Sequence, residues 1–219
     1  QSVPYDRTVL VDLTQDEDQL LAGMKKRGRR DVRKALRDES LTVAEETGLD
    51  RAAFGELYAV LVETGERDQF GIAPEALYWA MLEALGPDHA RLFVTRREGR
   101  PLAWGLVVTN DGRAAYYYGA SNAEGRRALA ADLLVWEMMR RLAAEGAHTF
   151  DFMGVDSERA PALAGVRDFK TKFNPEITEV DGAWDVPVRP VLYQALVRAL
   201  AAKRRTVAAG GAVWHRVRR

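Results

Sequence analysis

The chain has 219 residues, enough to bury a sizeable core, and its 47% hydrophobic and 29% charged residues are the balance of an ordinary globular protein. It has no cysteine and only three scattered histidines (His89, His148, His215), which excludes a disulfide framework, a thiolate metal site and a cysteine nucleophile, and argues against a histidine metal site. No apolar run approaches the ~18 residues of a membrane span, and the formal net charge is zero.

Residues 8–13 (TVLVDL) alternate apolar and polar like a strand, and Thr14 with Glu17 makes a capping-box pattern for a helix to about Leu36. Eight basic residues fall between Lys25 and Arg37 against one acid. Lys26, Arg30, Arg33 and Arg37 share a stripe there, suited to a phosphate backbone or to an acidic protein surface. A short strand near Leu41–Ala44 follows. Phe54, Leu57, Tyr58 and Leu61 repeat at helical spacing, and Pro74 suits the first turn of another helix. Between them, Glu63-Thr64-Gly65-Glu66-Arg67-Asp68-Gln69-Phe70-Gly71 offers Arg67 either as a bidentate anion clamp or as an intrahelical partner of Glu63.

Three strands come next, Arg91–Arg96, Leu102–Thr109 and Arg113–Gly119, turned at Gly99 and at Asp111-Gly112. In the third, strict alternation puts Tyr116 and Tyr118 on one face and Tyr117 on the other. One face packs the core, the other can offer hydroxyls to a ligand, and Gly119 reads as a bend. A long helix is expected from about Arg126 to Ala144, ended by Gly146. His148–Phe152 reads as a buried strand closed by Asp151 ahead of Met153-Gly154. Phe169-Lys170-Thr171-Lys172-Phe173 sets lysines between aromatics, either as a site or as two core phenylalanines flanking surface lysines. Ile177–Trp184 reads as a last strand, and Pro187 and Pro190 lead into a helix over about Val191–Arg205.

After Asp185 there is no acidic residue but eight basic ones, so the body is formally −8 and the tail +8. That split suits an anionic partner, a phosphate backbone or anionic lipid, or a tail that complements its own body. The element order predicts an α+β domain with a mixed, mainly antiparallel sheet flanked by helices over residues 1–187, then a basic helix and tail over 188–219.

Several of these segments resemble the FemABX family, whose members move an amino acid from aminoacyl-tRNA onto the peptide stem of a peptidoglycan precursor. The shared patterns are the Lys-x-x-x-Arg-x-x-x-Arg-Lys-Ala helix, Glu-Thr-x-x-Arg-Asp-x-Phe-Gly, Tyr-x-Gly-Ala-Ser, Asp-x-x-Gly and Phe-Lys-x-x-Phe, spread over roughly residues 7–195. The resemblance implies a GNAT-like (acyl-CoA N-acyltransferase) fold that uses no cofactor and no metal. It implies aminoacyl-tRNA and a UDP-linked or lipid-linked muropeptide precursor as partners, in the cytoplasm, with or without peripheral contact to the inner face of the membrane.

By the same resemblance, Lys170 partners the oxyanion or a phosphate, Phe169 stacks on the tRNA end, and Lys172 and Phe70 contact substrate. Arg67 takes a diphosphate, Tyr116 or Tyr118 contacts the acceptor, and Asp151 orients the amine or acts as a base. Lys26, Arg30 and Arg33 hold tRNA. Asn174 departs from the family's glycine after the last motif. The chain starts at Gln1, where the family's second domain begins, so the resemblance implies a piece of a longer protein. Leu192, Leu196 and Leu200 of the final helix would then be left partly exposed, inviting self-association.

Two other readings stay open. One is an acyl-CoA-dependent N-acetyltransferase, although Asn122-Ala123-Glu124-Gly125-Arg126-Arg127-Ala128 keeps only one glycine where such enzymes carry a pyrophosphate loop. The other is a non-catalytic module bound to RNA or membrane.

Overall fold

A computed structural model describes residues 5–158, 160–181, 185–200 and 202–203. The chain divides into two units, Gln1–Gly182 and Ala183–Arg219, a few residues before the boundary expected at 187. In the second unit residues 190–200 are helical. Leu192, Leu196 and Leu200 there are each more than half exposed.

The first unit is built on one seven-stranded sheet in the order β2-β3-β4-β5-β6-β1-β7. Its strands are β1 (Arg7–Asp12), β2 (Leu41–Glu45), β3 (Ala90–Arg97), β4 (Arg100–Asn110), β5 (Arg113–Ser121), β6 (Thr149–Gly154) and β7 (Thr178–Glu179). Every neighbouring pair is antiparallel except β5 with β6. The expected mixed, mainly antiparallel α+β sheet is thus present. β3 and β4 carry near-continuous buried runs because both faces of the sheet are covered.

On one face, α1 (Glu17–Gly23), α2 (Lys26–Ala35) and α6 (Ala130–Ala144) bury Leu20, Met24, Val32, Leu134, Trp136 and Met138. On the other, α3 (Arg51–Asp68) and α4 (Glu75–Leu85) bury Phe54, Leu57, Leu61 and Tyr78 against Trp104. The Trp104 indole donates to the Leu57 carbonyl at 2.7 Å, which satisfies its buried N–H.

Two helices expected to be continuous are broken. The first stops at Gly23 because Met24 and Lys25 are extended; Arg29 then donates to the exposed carbonyls of Ala22 and Met24. Its cap also lies two residues beyond the expected Thr14: Asp16 and Gln19 form the capping box, while Thr14 bonds Asp12. The second break is at Leu129, left-handed at φ 60, which separates α5 (Ala123–Ala128) from α6. The last strand is limited to Thr178–Glu179, and residues 182–184 of the expected Ile177–Trp184 lie outside the described residues.

Candidate functional site

β5 and β6 start side by side and part company. They pair only from Arg113↔Thr149 to Ala115↔Asp151, and beyond that the sheet is open. Two irregularities accompany the split. On β5, Leu106 of β4 faces Tyr118 and Val107 faces Tyr116, which leaves Tyr117 as the extra residue of a bulge. On β6, the register against β1 slips between Thr8↔Gly154 and Leu10↔Asp151, with Met153 at φ 59. Bulges bend a strand and sharpen its twist, so both strands are turned away from continued pairing. The crevice therefore lies at the carboxyl ends of the one parallel pair, the usual place for ligands in open sheets.

The bulge overturns the alternation expected for the tyrosines. Tyr116 and Tyr118 are on opposite faces: Tyr116 belongs to the α6 core and Tyr118 packs beside Tyr78 on the α3–α4 side. Tyr116 is buried across Gly105 and Gly119, where a Cβ would collide with its ring. Gly119 is thus the floor for that ring, not a bend, and Tyr116 is a core residue and not an acceptor contact. Tyr117 is the exposed tyrosine, in edge contact with Tyr118 at 5.0 Å.

Lys170 ends α7 (Ala164–Lys170) and reaches the carboxyl end of β6. Its ammonium donates to the carbonyls of Gly154 at 2.6 Å and Met153 at 3.3 Å. Burial lowers its pKa to about 8, the nearby Asp151 charge opposing that shift. At neutral pH it is mainly a cation, and two acceptors leave one of its three N–H groups for a further partner.

Asp151 Oδ1 accepts from the Thr8 hydroxyl and from the Met153 backbone N–H at 2.7 Å, which holds the left-handed turn at Met153. Asp151 is thus partly a structural residue, with Oδ2 outside both contacts. Tyr5 joins this group and was not legible beforehand. Its ring lies on Gly154, where no Cβ would fit, and its hydroxyl pKa is raised by burial and then by Asp151 and Tyr117.

The rest of the Phe169–Phe173 segment is anchoring. Phe173 stacks on Phe152 at 5.1 Å in the core, and the half-buried Phe169 meets Phe173 edge-on at 5.6 Å. Lys172 is buried, its ammonium 2.6 Å from Asp132 and 3.3 Å from Asp31, so the expected substrate contact is instead the centre of an internal ion triad. Asn174 takes the role of a tie, donating to the Leu10 carbonyl at 2.7 Å.

Arg67 pairs with Asp68 at 2.8 and 2.7 Å and donates to the Ser121 carbonyl at 2.6 Å. It joins the end of α3 to the end of β5, with the Glu63 charge also bearing on its guanidinium. Phe70 is exposed beyond the left-handed cap at Gln69. Glu63 Oε1 instead accepts from the Ala123 backbone N–H at 2.6 Å, and Asn122 Oδ1 accepts from Gly125 at 2.8 Å. Lys26, Arg30 and Arg33 are exposed on α2, with Arg30 also 2.8 Å from Asp31.

An open depression of ≈290 Å³ at the opposite end of β5 and β6, lined by His89, Arg91, Arg113 and Glu145 among others, is remote from the split. Its Arg91 is already held by Glu45 and Glu145. Among the described residues, no helix is long and apolar enough to cross a membrane.

A family model described as an acetyltransferase (GNAT) domain matches residues 22–171. The chain is 30% identical over 117 residues to lipid II:glycine glycyltransferase of Staphylococcus aureus, an alignment covering 52% of this chain and 26% of that protein. The crystal structure of FemX superposes with a TM-score of 0.77 at 21% identity, over 88% of this chain and 64% of that one. L-PGS from Bacillus licheniformis superposes at 0.54 and 17% identity, over 80% and 58%. The chain thus spans about a quarter of the curated relatives it matches and under two thirds of FemX. With the model match running from α1 to the turn after Lys170, the chain belongs to the acetyltransferase (GNAT) domain family.

Proposed function

We propose that this domain serves a peptidoglycan-bridge aminoacyl transfer in which the amine of a precursor's stem peptide attacks the ester of an aminoacyl-tRNA. The observation that carries the reading is Lys170: a cation held at the carboxyl end of β6, beside the split, with an N–H to spare. The donor ester is already activated, so the reaction needs alignment and a partner for the developing oxyanion. The amine nitrogen bonds to the carbonyl carbon and gives up a proton. The carbon–oxygen bond to the terminal ribose breaks, and that oxygen leaves as a hydroxyl. Lys170 stabilises the oxyanion or the terminal phosphate, while Asp151, Tyr5 and Tyr117 bound the side from which the amine arrives. Phe169 supports the tRNA end through its exposed portion, and Lys26, Arg30 and Arg33 meet the phosphate backbone.

An acyl-CoA donor is disfavoured by the α5 terminus. There Glu63 presents a carboxylate to Ala123 N–H, and Asn122 caps Gly125, so the amides that would meet a pyrophosphate already have acceptors, one of them anionic. The deciding experiment is binding of an aminoacylated acceptor minihelix, beside acetyl-CoA, to the native chain and to Lys170→Ala. Minihelix binding that weakens in the variant, with acetyl-CoA ignored, supports the reading. In transfer assays with a stem-peptide acceptor, Lys170→Ala lowers turnover about tenfold or more, the size of one lost charge-assisted contact. Unchanged transfer, or tight acetyl-CoA binding without RNA preference, overturns it.

A further inference from the structure

α7 carries Lys170, yet none of its own described residues is fully buried. The turn that follows is the opposite: Thr171, Lys172 and Phe173 are all buried. Lys172 sends its ammonium between two elements, to Asp31 of α2 and to Asp132 in the first turn of α6. α2 also grips the turn through its backbone. Lys25 N–H donates to the Lys172 carbonyl at 3.0 Å, and the Lys25 ammonium donates to the Thr171 hydroxyl at 2.7 Å. Gly28 lies so close to the Lys172 carbonyl that no Cβ would fit. Two carboxylates around one ammonium leave the cluster with an excess negative charge, which Arg30 beside Asp31 helps to offset. A buried ion cluster of this kind adds little net stability over an apolar replacement, but it fixes geometry, because any displacement uncovers an unpaired charge.

We propose that Lys172 is a positioning residue: clamped between α2 and α6, it seats α7 so that the Lys170 ammonium stays on the Met153 and Gly154 carbonyls. The functional consequence rests on the aminoacyl-transfer reading; the positioning itself does not. If the clamp opens, α7 loses its main polar anchor and Lys170 swings toward water. Its ionisation then reports its position. Asp151 on β6 is the charge bearing on Lys170, with Tyr5 beside that carboxylate and Tyr117 beside Tyr5. Around Lys172 stand Asp31, Asp132, Arg30 and Arg27.

The test is a titration of the lysine side-chain Cε signals by NMR in chain labelled with ¹³C-lysine, which has only six lysines. In the native chain the expected Lys170 midpoint is about 8. In Lys172→Gln its midpoint rises by about one pH unit or more, toward the free value, while the near-ultraviolet signal of Trp104 and Trp136 is retained. Asp132→Asn, which keeps Lys172 paired to Asp31, gives a smaller rise and decides the matter if Lys172→Gln does not fold. Lys172→Arg, which keeps the charge, restores the native midpoint. A Lys170 midpoint that stays near 8 in every folded variant, or that already sits at the free value in the native chain, overturns the proposal. The titration needs no turnover, so its failure counts against the clamp alone, whereas unchanged transfer by Lys170→Ala counts against the functional reading.

Discussion

Lys170 binds a proton less readily in the folded chain than in the unfolded one, and that difference is measurable as stability. Between its folded value of about 8 and the free value of 10.5, the unfolded chain holds the extra proton, so raising the pH through this window favours the fold. Below the window both states are protonated and the cost of burying the cation is paid in full. Lys170→Met is expected to flatten the profile by up to one proton, ~1.4 kcal/mol per pH unit. Urea midpoints at pH 8 and 10 measure this; parallel profiles for the variant and the native chain would contradict the assigned burial. The motif drew attention to Lys170 and Lys172 alike, and the position of Lys170 at the end of β6 fits that reading. The ion pairing of Lys172 was not legible, because Asp31 and Asp132 reach it from α2 and α6, which no local pattern connects. Tyr5 was hidden for the same reason: only the β6 turn at Gly154 brings it to the crevice.

The strands were legible as elements and not as faces. The turn signals at Gly99 and Asp111-Gly112 located β3, β4 and β5, since left-handed turn residues are a local property; among these strands, alternation was used only inside β5. It misplaced Tyr116, because one unpaired residue inverts the phase of everything after it. The helix breaks at Met24 and Leu129 were likewise silent. The first falls directly after Gly23, a residue that helices tolerate and that does not mark a stop by itself, and the second at a leucine with no turn signal at all. The ring of Tyr116 over Gly119 gives this scale its own test. Gly119→Ala puts a Cβ into that ring, and an overpacked core costs ~1–3 kcal/mol. A denaturation midpoint unchanged in Gly119→Ala would show that the ring is free to move aside. In a second, milder variant, Gly146→Ala, the added Cβ meets nothing, but the residue sits at φ 94, so the expected loss is conformational and smaller.

Across the whole first unit, charge is distributed by function of place. Around β2 and β3, the arginines are consumed: Arg91 by Glu45 and Glu145, Arg96 by Glu46 and Glu56, Arg97 by Asp38 and Glu124. On α2, Lys26 and Arg33 project outward, as does Arg30 while it also pairs with Asp31, from a helix whose buried side holds the Lys170 turn. Replacing all three by glutamine is expected to reduce the log–log salt slope of minihelix binding by about two to three, at ~0.7–0.9 per lost phosphate contact. A slope that does not change would place the RNA elsewhere. The crevice itself has a further implication for how such a domain responds to a change of length. Tyr117 is a one-residue surplus in an otherwise regular ladder. Deleting that single codon would leave Tyr116 opposite Val107 and Tyr118 opposite Leu106, every core side chain on its present face, and no bulge to steer β5 away from β6. Substitution at this point leaves the phase of β5 intact, whereas a one-residue insertion or deletion resets it and leaves the irregularity of β6 alone to hold the crevice open.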